Sequence, residues 1–368
     1  MFSCKTCTPD RYGLSGSSSG GWYGGPHSAL HEATGFRPRK GRRIRKRLEP
    51  PQSCPSSNLR IRNALSSRVM IQTFRSLPEP AALAAHLGPR YGVTFEHCEL
   101  RRTLVNDVYE LATGDARYVL KLYLYGRREA DEIRWETGLS AHLRAAGVRT
   151  TEVVPLLDGD TVGLLETPEG PRPFTLLEYV EGSTPRPPFT DELYDAFGRQ
   201  VAAFHDAAEN YTSPYFRPPA EDVDQALEQI LAVDDAEENL LRTLTARVRN
   251  NLSQYSKAGT CHGDVSMDKV LLTPQGLLLL DFDLAATGPV AADFCGVATT
   301  PHWEAFKAGY RIRREITAED EAAIPYLQIV GRILNLRFHV VDKPRYRGTE
   351  SRGEGWAAGE YEGLRALL

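Results

Sequence analysis

From Met70 onward, apolar and polar positions fall into short blocks separated by regular Gly, Pro and Asp punctuation, and the blocks predict elements. Residues 80–87 predict a short helix with Pro80 in its first turn and Gly88 and Pro89 closing it. Residues 99–104, 108–112 and 117–124 read as strands, the last two joined by the turn residues Thr113, Gly114 and Asp115. An antiparallel, strand-rich first part follows from these. Residues 127–146 carry a helical period with Gly147 as the stop, and residues 174–180 read as a strand running into the polar break Glu181-Gly182. Thr190 predicts the cap of a helix that has Asp191 and Glu192 in its first turn, an apolar stripe of Leu193, Phe197, Val201 and Phe204, and an end near His205. Helical pattern dominates from there on.

Two charges interrupt this pattern where charge is costly. Residues 118–124 are apolar on both faces except for Lys121, so its ammonium must either snorkel to water or meet a partner. On the following helix Ile133, Leu139 and Leu143 share a stripe, and Glu136 falls in its middle. A strand lysine paired to a helix glutamate is what nucleotide kinases use to hold the α- and β-phosphates. Further on, Cys261-His262-Gly263-Asp264 opens a loop that leads to a short strand, the turn 273–276, a second short strand and then Asp281-Phe282-Asp283. This hairpin sets Asp264 and Asp281 at its two ends, close enough to address one site. Phosphoryl transfer needs two such carboxylates, one to take the hydroxyl proton and one to hold Mg²⁺ on the ATP phosphates.

Composition narrows the setting. With 368 residues, 41% hydrophobic and 25% charged, the chain has the balance of a globular protein of two domains or lobes. No apolar run approaches the ~18–20 residues needed to span a bilayer, no signal-peptide pattern opens the chain, and a cytoplasmic protein without membrane partners is expected. Six scattered cysteines suit reduced core thiols rather than a disulfide framework, and Cys4 and Cys7 form a lone CxxC without the second pair a zinc site would need. Charge is divided unevenly. Residues 1–69 hold 13 basic and 3 acidic side chains, and the remainder holds 31 basic and 45 acidic. The first 69 residues, with a Ser/Gly stretch and a basic run at 37–47, lack any sustained period. They are expected to form a disordered extension, and the domain pattern beginning just after Met70 suggests an over-extended start. A nucleic-acid binder acting through this basic tail ranks well below the kinase reading.

At the hairpin the sequence resembles the aminoglycoside phosphotransferase and choline kinase-like family, whose signature is H-G-D-x-x-x-x-N followed by D-x-D or D-x-E. The resemblance runs from Glu99 to the C-terminus, since Lys121, Glu136, the segment 177–180 and the helix carrying His205 occur in the family's order. It implies an α+β, two-lobed, protein-kinase-like fold with a small antiparallel first lobe (residues 70–180) and a larger, mainly helical second lobe (residues 181–368). It implies ATP and Mg²⁺ as cofactors and a small hydroxylated acceptor. By this resemblance Asp264 is the catalytic base and Asp281 and Asp283 hold the metal. Lys121, Glu136, Asn106 and Lys269 lie on the phosphates, Glu178, Tyr179 and Val180 meet the nucleotide at the hinge, Asp293 supports the catalytic loop, and His205 and His262 are structural.

Two departures stand out. The loop Leu104-Val105-Asn106-Asp107, which should cover the phosphates, has no glycine, and the signature asparagine is Lys269. A lysine offers three donors and no acceptor, so it cannot ligate a metal as an amide oxygen does. Either the ammonium replaces one ion, or Asp268 substitutes, or the protein binds nucleotide or ligand without efficient turnover. Nothing in the sequence names the acceptor or the oligomeric state. Acidic clusters at 221–224 and 234–238 predict that a cationic acceptor would be steered to the second lobe.

Overall fold

The structure is a computed structural model in which Ile71 and residues 73–368 are described. The expectations for residues 1–69 and for a start at Met70 lie outside the described residues. In the first lobe the order is α1 (Pro80–Tyr91), β1 (His97–Thr103), β2 (Asp107–Ala112), β3 (Arg117–Leu122), α2 (Ala130–Ala145), β4 (Val153–Val154), β5 (Gly163–Thr167) and β6 (Gly170–Glu178). Its six strands make one antiparallel sheet in the order β1-β2-β3-β6-β4, with β5 paired to β6.

The period of two divides the faces of this sheet. Tyr109 and Leu111 on β2, Leu120 and Leu122 on β3, and Phe174 and Leu176 on β6 are buried in one cluster with Leu83 and Leu87 of α1. Each such side chain contributes about 1.5–3 kcal/mol on full burial. The alternate residues Val119, Lys121, Thr175 and Leu177 line a cleft on the other face.

Three element limits differ most from the sequence pattern. Helix α1 runs through Gly88 and Pro89 to Tyr91 and stops at Gly92, whose φ is 69°. Pro89 is tolerated because the carbonyl it leaves unbonded belongs to exposed Ala85. Strand β6 begins at Gly170, with Pro171 and Pro173 facing the edge strand β5. Helix α3 (Asp191–Glu209) continues a turn past His205 and is capped by Thr190, whose hydroxyl accepts the Leu193 N–H at 3.3 Å.

The second lobe continues with α4 (Val223–Leu231), α5 (Glu238–Leu252), β7 (Ala258–Cys261), β8 (Val270–Thr273), β9 (Gly276–Leu279), β10 (Ala286–Pro289), α6 (Trp303–Tyr310), α7 (Ala318–Arg337), α8 (Lys343–Arg347) and α9 (Trp356–Arg365). A π-helical turn, Phe338–Asp342, joins α7 to α8. Helices α3 and α6 pack backbone to backbone. A Cβ on Gly198 would lie 2.1 Å from the Phe306 carbonyl oxygen, and one on Gly309 would lie 1.9 Å from that of Asp195. The lobes are tied where the Leu279 N–H of β9 donates to the Arg149 carbonyl at 3.0 Å, and just past β6 Ser183 exchanges two backbone hydrogen bonds with Leu272 at 3.1 and 2.8 Å.

The acidic clusters at 221–224 and 234–238 do not line the cleft. Asp222 caps α4, and Glu221, Asp224, Glu237 and Glu238 pair with Arg337, Arg249, Arg365 and Arg242. Asp234 accepts the Tyr361 hydroxyl at 2.9 Å. Most of these charges are thus engaged in a helix cap, a tyrosine hydrogen bond and surface ion pairs of the second lobe. No described helix is long and apolar enough to cross a membrane.

Candidate active site

Strands β8 and β9 form the expected hairpin, with Val270 opposite Leu279 and Thr273 opposite Gly276. The catalytic-loop segment before it is held by Asp293, whose carboxylate accepts the His262 N–H at 2.7 Å, the Gly263 N–H at 2.8 Å and His205 Nε2 at 3.0 Å. The other nitrogen of His205 lies 2.9 Å from the Tyr310 hydroxyl, and His262 Nε2 lies 3.0 Å from the Leu280 carbonyl. Burial raises the Asp293 carboxyl, but the bonds from His205 and the loop outweigh it and hold the group below its ordinary value. Gly263 sits at φ 78°, and a Cβ there would lie 2.4 Å from the Leu284 carbonyl oxygen, so this position demands glycine on two counts.

The two carboxylates at the hairpin's ends meet through Lys269. Its Nζ lies 3.2 Å from Asp264 Oδ2, 3.0 Å from Asp281 Oδ2 and 3.8 Å from Asp268 Oδ2. Asp281 adopts φ 68° and ψ 72°, a left-handed conformation that aspartate tolerates better than most residues. Its second oxygen, Oδ1, is 3.2 Å from Lys121 Nζ, and Lys121 in turn lies 3.0 Å from Glu136 Oε1. Burial pushes the Asp264 carboxyl up, with Lys269 opposing. Burial acts in the same sense on Asp281, but Lys121 and Lys269 outweigh it and hold that carboxyl well below the usual range.

Asp283 is placed differently. Asn106 Nδ2 donates to its Oδ2 at 3.2 Å, while Arg127 and Arg128 lie 3.6 and 3.5 Å from the carboxylate. The Asp283 carbonyl accepts from Arg128 at 2.9 Å and also from Arg217. The glycine-free loop is therefore folded down onto the acidic motif. It is anchored from behind by Asp107, which pairs with Arg75 and, at 2.7 Å, with the fully buried Arg172. No signal short of the buried hairpin β5–β6 marks Arg172 in the sequence, and none marks Arg217, which sits in a loop between α3 and α4.

The hinge residues stand apart from this cluster. The N–H groups of Glu178 and Tyr179 already donate to the carbonyls of Glu152 at 2.9 Å and Arg117 at 3.0 Å, and the Arg117 guanidinium lies over the Tyr179 ring at 3.7 Å. None of Glu178, Tyr179 and Val180 lines the cleft, whereas Leu177 does. The cleft holds about 690 Å³ and runs from Val119 and Leu177, past Lys121, Asp281 and Asp264, to a wall from the C-terminal helices. On that wall His339, in the π-helical turn, stacks on Trp356 with planes 7° apart and centroids 5.8 Å apart. Burial and Lys343 push the His339 imidazole down to about 4, so it is neutral near pH 7.

Residues 98–325 match the APH phosphotransferase enzyme family. The chain belongs to this family, whose enzymes move a phosphoryl group onto an alcohol. A homoserine kinase from Mesorhizobium japonicum is 27% identical over 241 residues, 60% of this chain and 73% of that protein. Among solved structures, a microcompartment-associated aminopropanol kinase shares 25% identity and superposes with a TM-score of 0.64, covering 78% of this chain and 97% of its own. The amicoumacin kinase hAmiN, solved with AMP-PNP, Ca²⁺ and Ami, gives a TM-score of 0.66 at 15% identity over 78% of this chain and 94% of that one. The fold is thus the two-lobed, protein-kinase-like α+β fold of these enzymes. The C-terminal wall with His339 and Trp356 lies beyond the residues matched to the family.

Proposed function

We propose that the protein transfers the γ-phosphate of ATP to the hydroxyl of a small amino-alcohol or hydroxy-amino-acid acceptor. The observation that carries this reading is the convergence of Lys121, Glu136, Asp264, Lys269 and Asp281 on one cleft from two lobes. The named activities of the aminopropanol and homoserine kinases support the acceptor class. We take residues 70–180 and 181–368 as the two working lobes, and a cytoplasmic setting as the one in which the proposed transfer runs.

In this reading Lys121, held by Glu136, binds the α- and β-phosphates, and the Asn106 loop covers them. The adenine end lies against Val119 and Leu177 beside the hinge, whose Glu178 and Tyr179 N–H groups are already engaged by Glu152 and Arg117. Asp264 takes the proton of the acceptor hydroxyl as its oxygen attacks the γ-phosphorus and the bond to ADP breaks. Two carboxylates one residue apart, with nucleotide phosphates completing the shell, are a donor set that suits Mg²⁺. Asp281, with 31% of its side chain exposed, is the more open of the two, since only 9% of the Asp283 side chain is. When bound, the ion would neutralise charge on the phosphates.

Incubating the purified full chain with Mg-ATP and homoserine, 1-amino-2-propanol or an aminoglycoside, followed by mass spectrometry, tests this. Gain of one phosphoryl group on an amino-alcohol or hydroxy-amino acid is expected. Transfer to an aminoglycoside alone would overturn the acceptor class. Nucleotide binding without transfer to any acceptor would favour the second reading, for which the Lys269–Asp264 pair is the motive: a family member that binds but turns over poorly.

A further inference from the structure

The backbone that carries Lys269 is fixed on both sides. Its N–H donates to the Ser266 carbonyl at 3.0 Å, closing the turn Met267–Lys269, and its own carbonyl accepts the N–H of Leu280 at 2.9 Å. Leu280 immediately precedes Asp281, so the root of the lysine side chain and the carboxylate it meets are locked into one hairpin. In kinase loops of this kind the residue five positions after the base is an asparagine that holds a second divalent ion, while the aspartate beyond the hairpin holds the first. Here that residue supplies donors only.

The space the second ion would need is also taken. Lys269 Nζ stands between the carboxylates at 3.2 Å from Asp264 Oδ2 and 3.0 Å from Asp281 Oδ2, with its side chain only 14% exposed. A Mg²⁺ ion bound to either oxygen at the usual distance of about 2.0–2.1 Å on that side would touch the ammonium and be repelled by it. Asp268, the neighbouring source of an oxygen ligand, does not offer a way round. Its Oδ1 accepts the Ser266 hydroxyl at 2.6 Å, and its Oδ2 faces Lys269 itself at 3.8 Å. Asp281 Oδ1 faces Lys121 Nζ at 3.2 Å, but in the proposed reading that lysine turns to the nucleotide phosphates, which frees this oxygen for an ion.

Building on the phosphotransferase reading, we propose that the Lys269 ammonium occupies the second-ion position of the kinase-type site, so that the enzyme works with a single divalent ion held at Asp281. The lysine then supplies the second positive charge to the transferring phosphoryl group. It exchanges neither proton nor electrons. The acceptor oxygen forms its bond to phosphorus, the bond to the ADP oxygen breaks, and the hydroxyl proton goes to Asp264. Because one unit of charge replaces two, part of the stabilisation must come from Lys121, whose Nζ approaches the opposite oxygen of Asp281.

The test is a count of bound ions. Mn²⁺ binding to the full chain saturated with AMP-PNP is measured by electron paramagnetic resonance for wild type, Lys269→Asn and Lys269→Met. One Mn²⁺ per bound nucleotide is expected for wild type and two for the folded Lys269→Asn variant. Lys269→Met, which removes the charge without offering a ligand, should bind nucleotide about tenfold more weakly. Two ions in wild type, one in a folded Lys269→Asn variant, or unchanged nucleotide affinity in Lys269→Met would each overturn the proposal. A wild-type protein that binds no nucleotide at all would instead overturn the phosphotransferase reading on which it rests.

Discussion

Lys121 on β3 and Glu136 on α2 meet at 3.0 Å on the cleft side of a sheet whose opposite face is packed on α1. Both are buried, and burial, which alone would lower the Lys121 ammonium, is outweighed by Glu136, so the lysine stays charged. Removing one partner leaves the other as an uncompensated charge. Lys121→Ala should therefore destabilise the fold by about 3 kcal/mol and weaken nucleotide binding in the same variant. Urea unfolding and nucleotide titration read the two effects separately. Lost affinity at wild-type stability would mean that water reaches Glu136 and that the pair does not hold the sheet to α2.

Asp293 acts one layer behind the catalytic loop. It is not among the described residues that line the cleft, and it holds the loop through two backbone N–H groups and His205. Asp293→Asn keeps the size but turns one acceptor oxygen into a donor facing donors. The expected result is a fall in kcat of about 100-fold with little change in nucleotide affinity, because Lys121 and the hinge are untouched. A variant that loses nucleotide affinity and kcat equally would place Asp293 in general folding rather than in positioning the loop.

The crossing of α3 and α6 has no room for a methyl group at Gly198 or Gly309, where backbone carbonyls of the partner helix stand in the way. Either Gly→Ala change should cost about 1–3 kcal/mol or more through forced separation of the helices, more than offsetting alanine's better helix propensity. Thermal denaturation of both single variants decides it. A rise in Tm would show that the helices separate without loss.

The strands, the long helices and the chemical motifs are legible in the sequence because each depends on local information. On β3, which is apolar on both faces, the single charge of Lys121 marks the face that carries Val119 and leaves the other to Leu120 and Leu122. The signature hairpin brings Asp264 and Asp281 together over a short loop, so its geometry is nearly encoded in spacing. What escapes is non-local. Strand β5 is short and pairs with a proline-interrupted β6, so its period is masked, and with it goes Arg172, a guanidinium buried by contacts from Ser76, Tyr123 and Asp107. The pairing of charges escapes for the same reason. Read along the chain, residues 221–224 look like an acidic patch, but their partners Arg249 and Arg337 arrive from distant helices.

His339 gives the acid side of the stability profile. Its imidazole is pushed from an ordinary 6.5 down to about 4 by burial and by Lys343, with Glu354 opposing. The unfolded chain therefore binds this proton more readily than the folded one between those values. The contribution is complete above about pH 6.5 and is lost as pH falls towards 4. His339→Gln should remove that slope, so that the unfolding free energies of variant and wild type converge on acidification. Parallel profiles from pH 7 to pH 4 would show that the imidazole is open to water.

Asp264 carries the final expectation, since the proposed transfer needs it ionised. Burial raises its carboxyl above the ordinary aspartate value, and the Lys269 ammonium 3.2 Å away partly offsets this. Activity should therefore fall as pH drops through a value higher than that of a free aspartate. Removing the cation with Lys269→Met takes away the opposing influence, so this acidic limb of kcat should move to higher pH. Asp264→Asn should lower kcat by about 1,000-fold and leave nucleotide affinity largely intact, because the γ-phosphate is held by other groups. Pre-steady-state transfer measured across pH for the three proteins separates the effects. An acidic limb that stays in place in Lys269→Met would mean that another group is the base, even if Asp264→Asn is inactive.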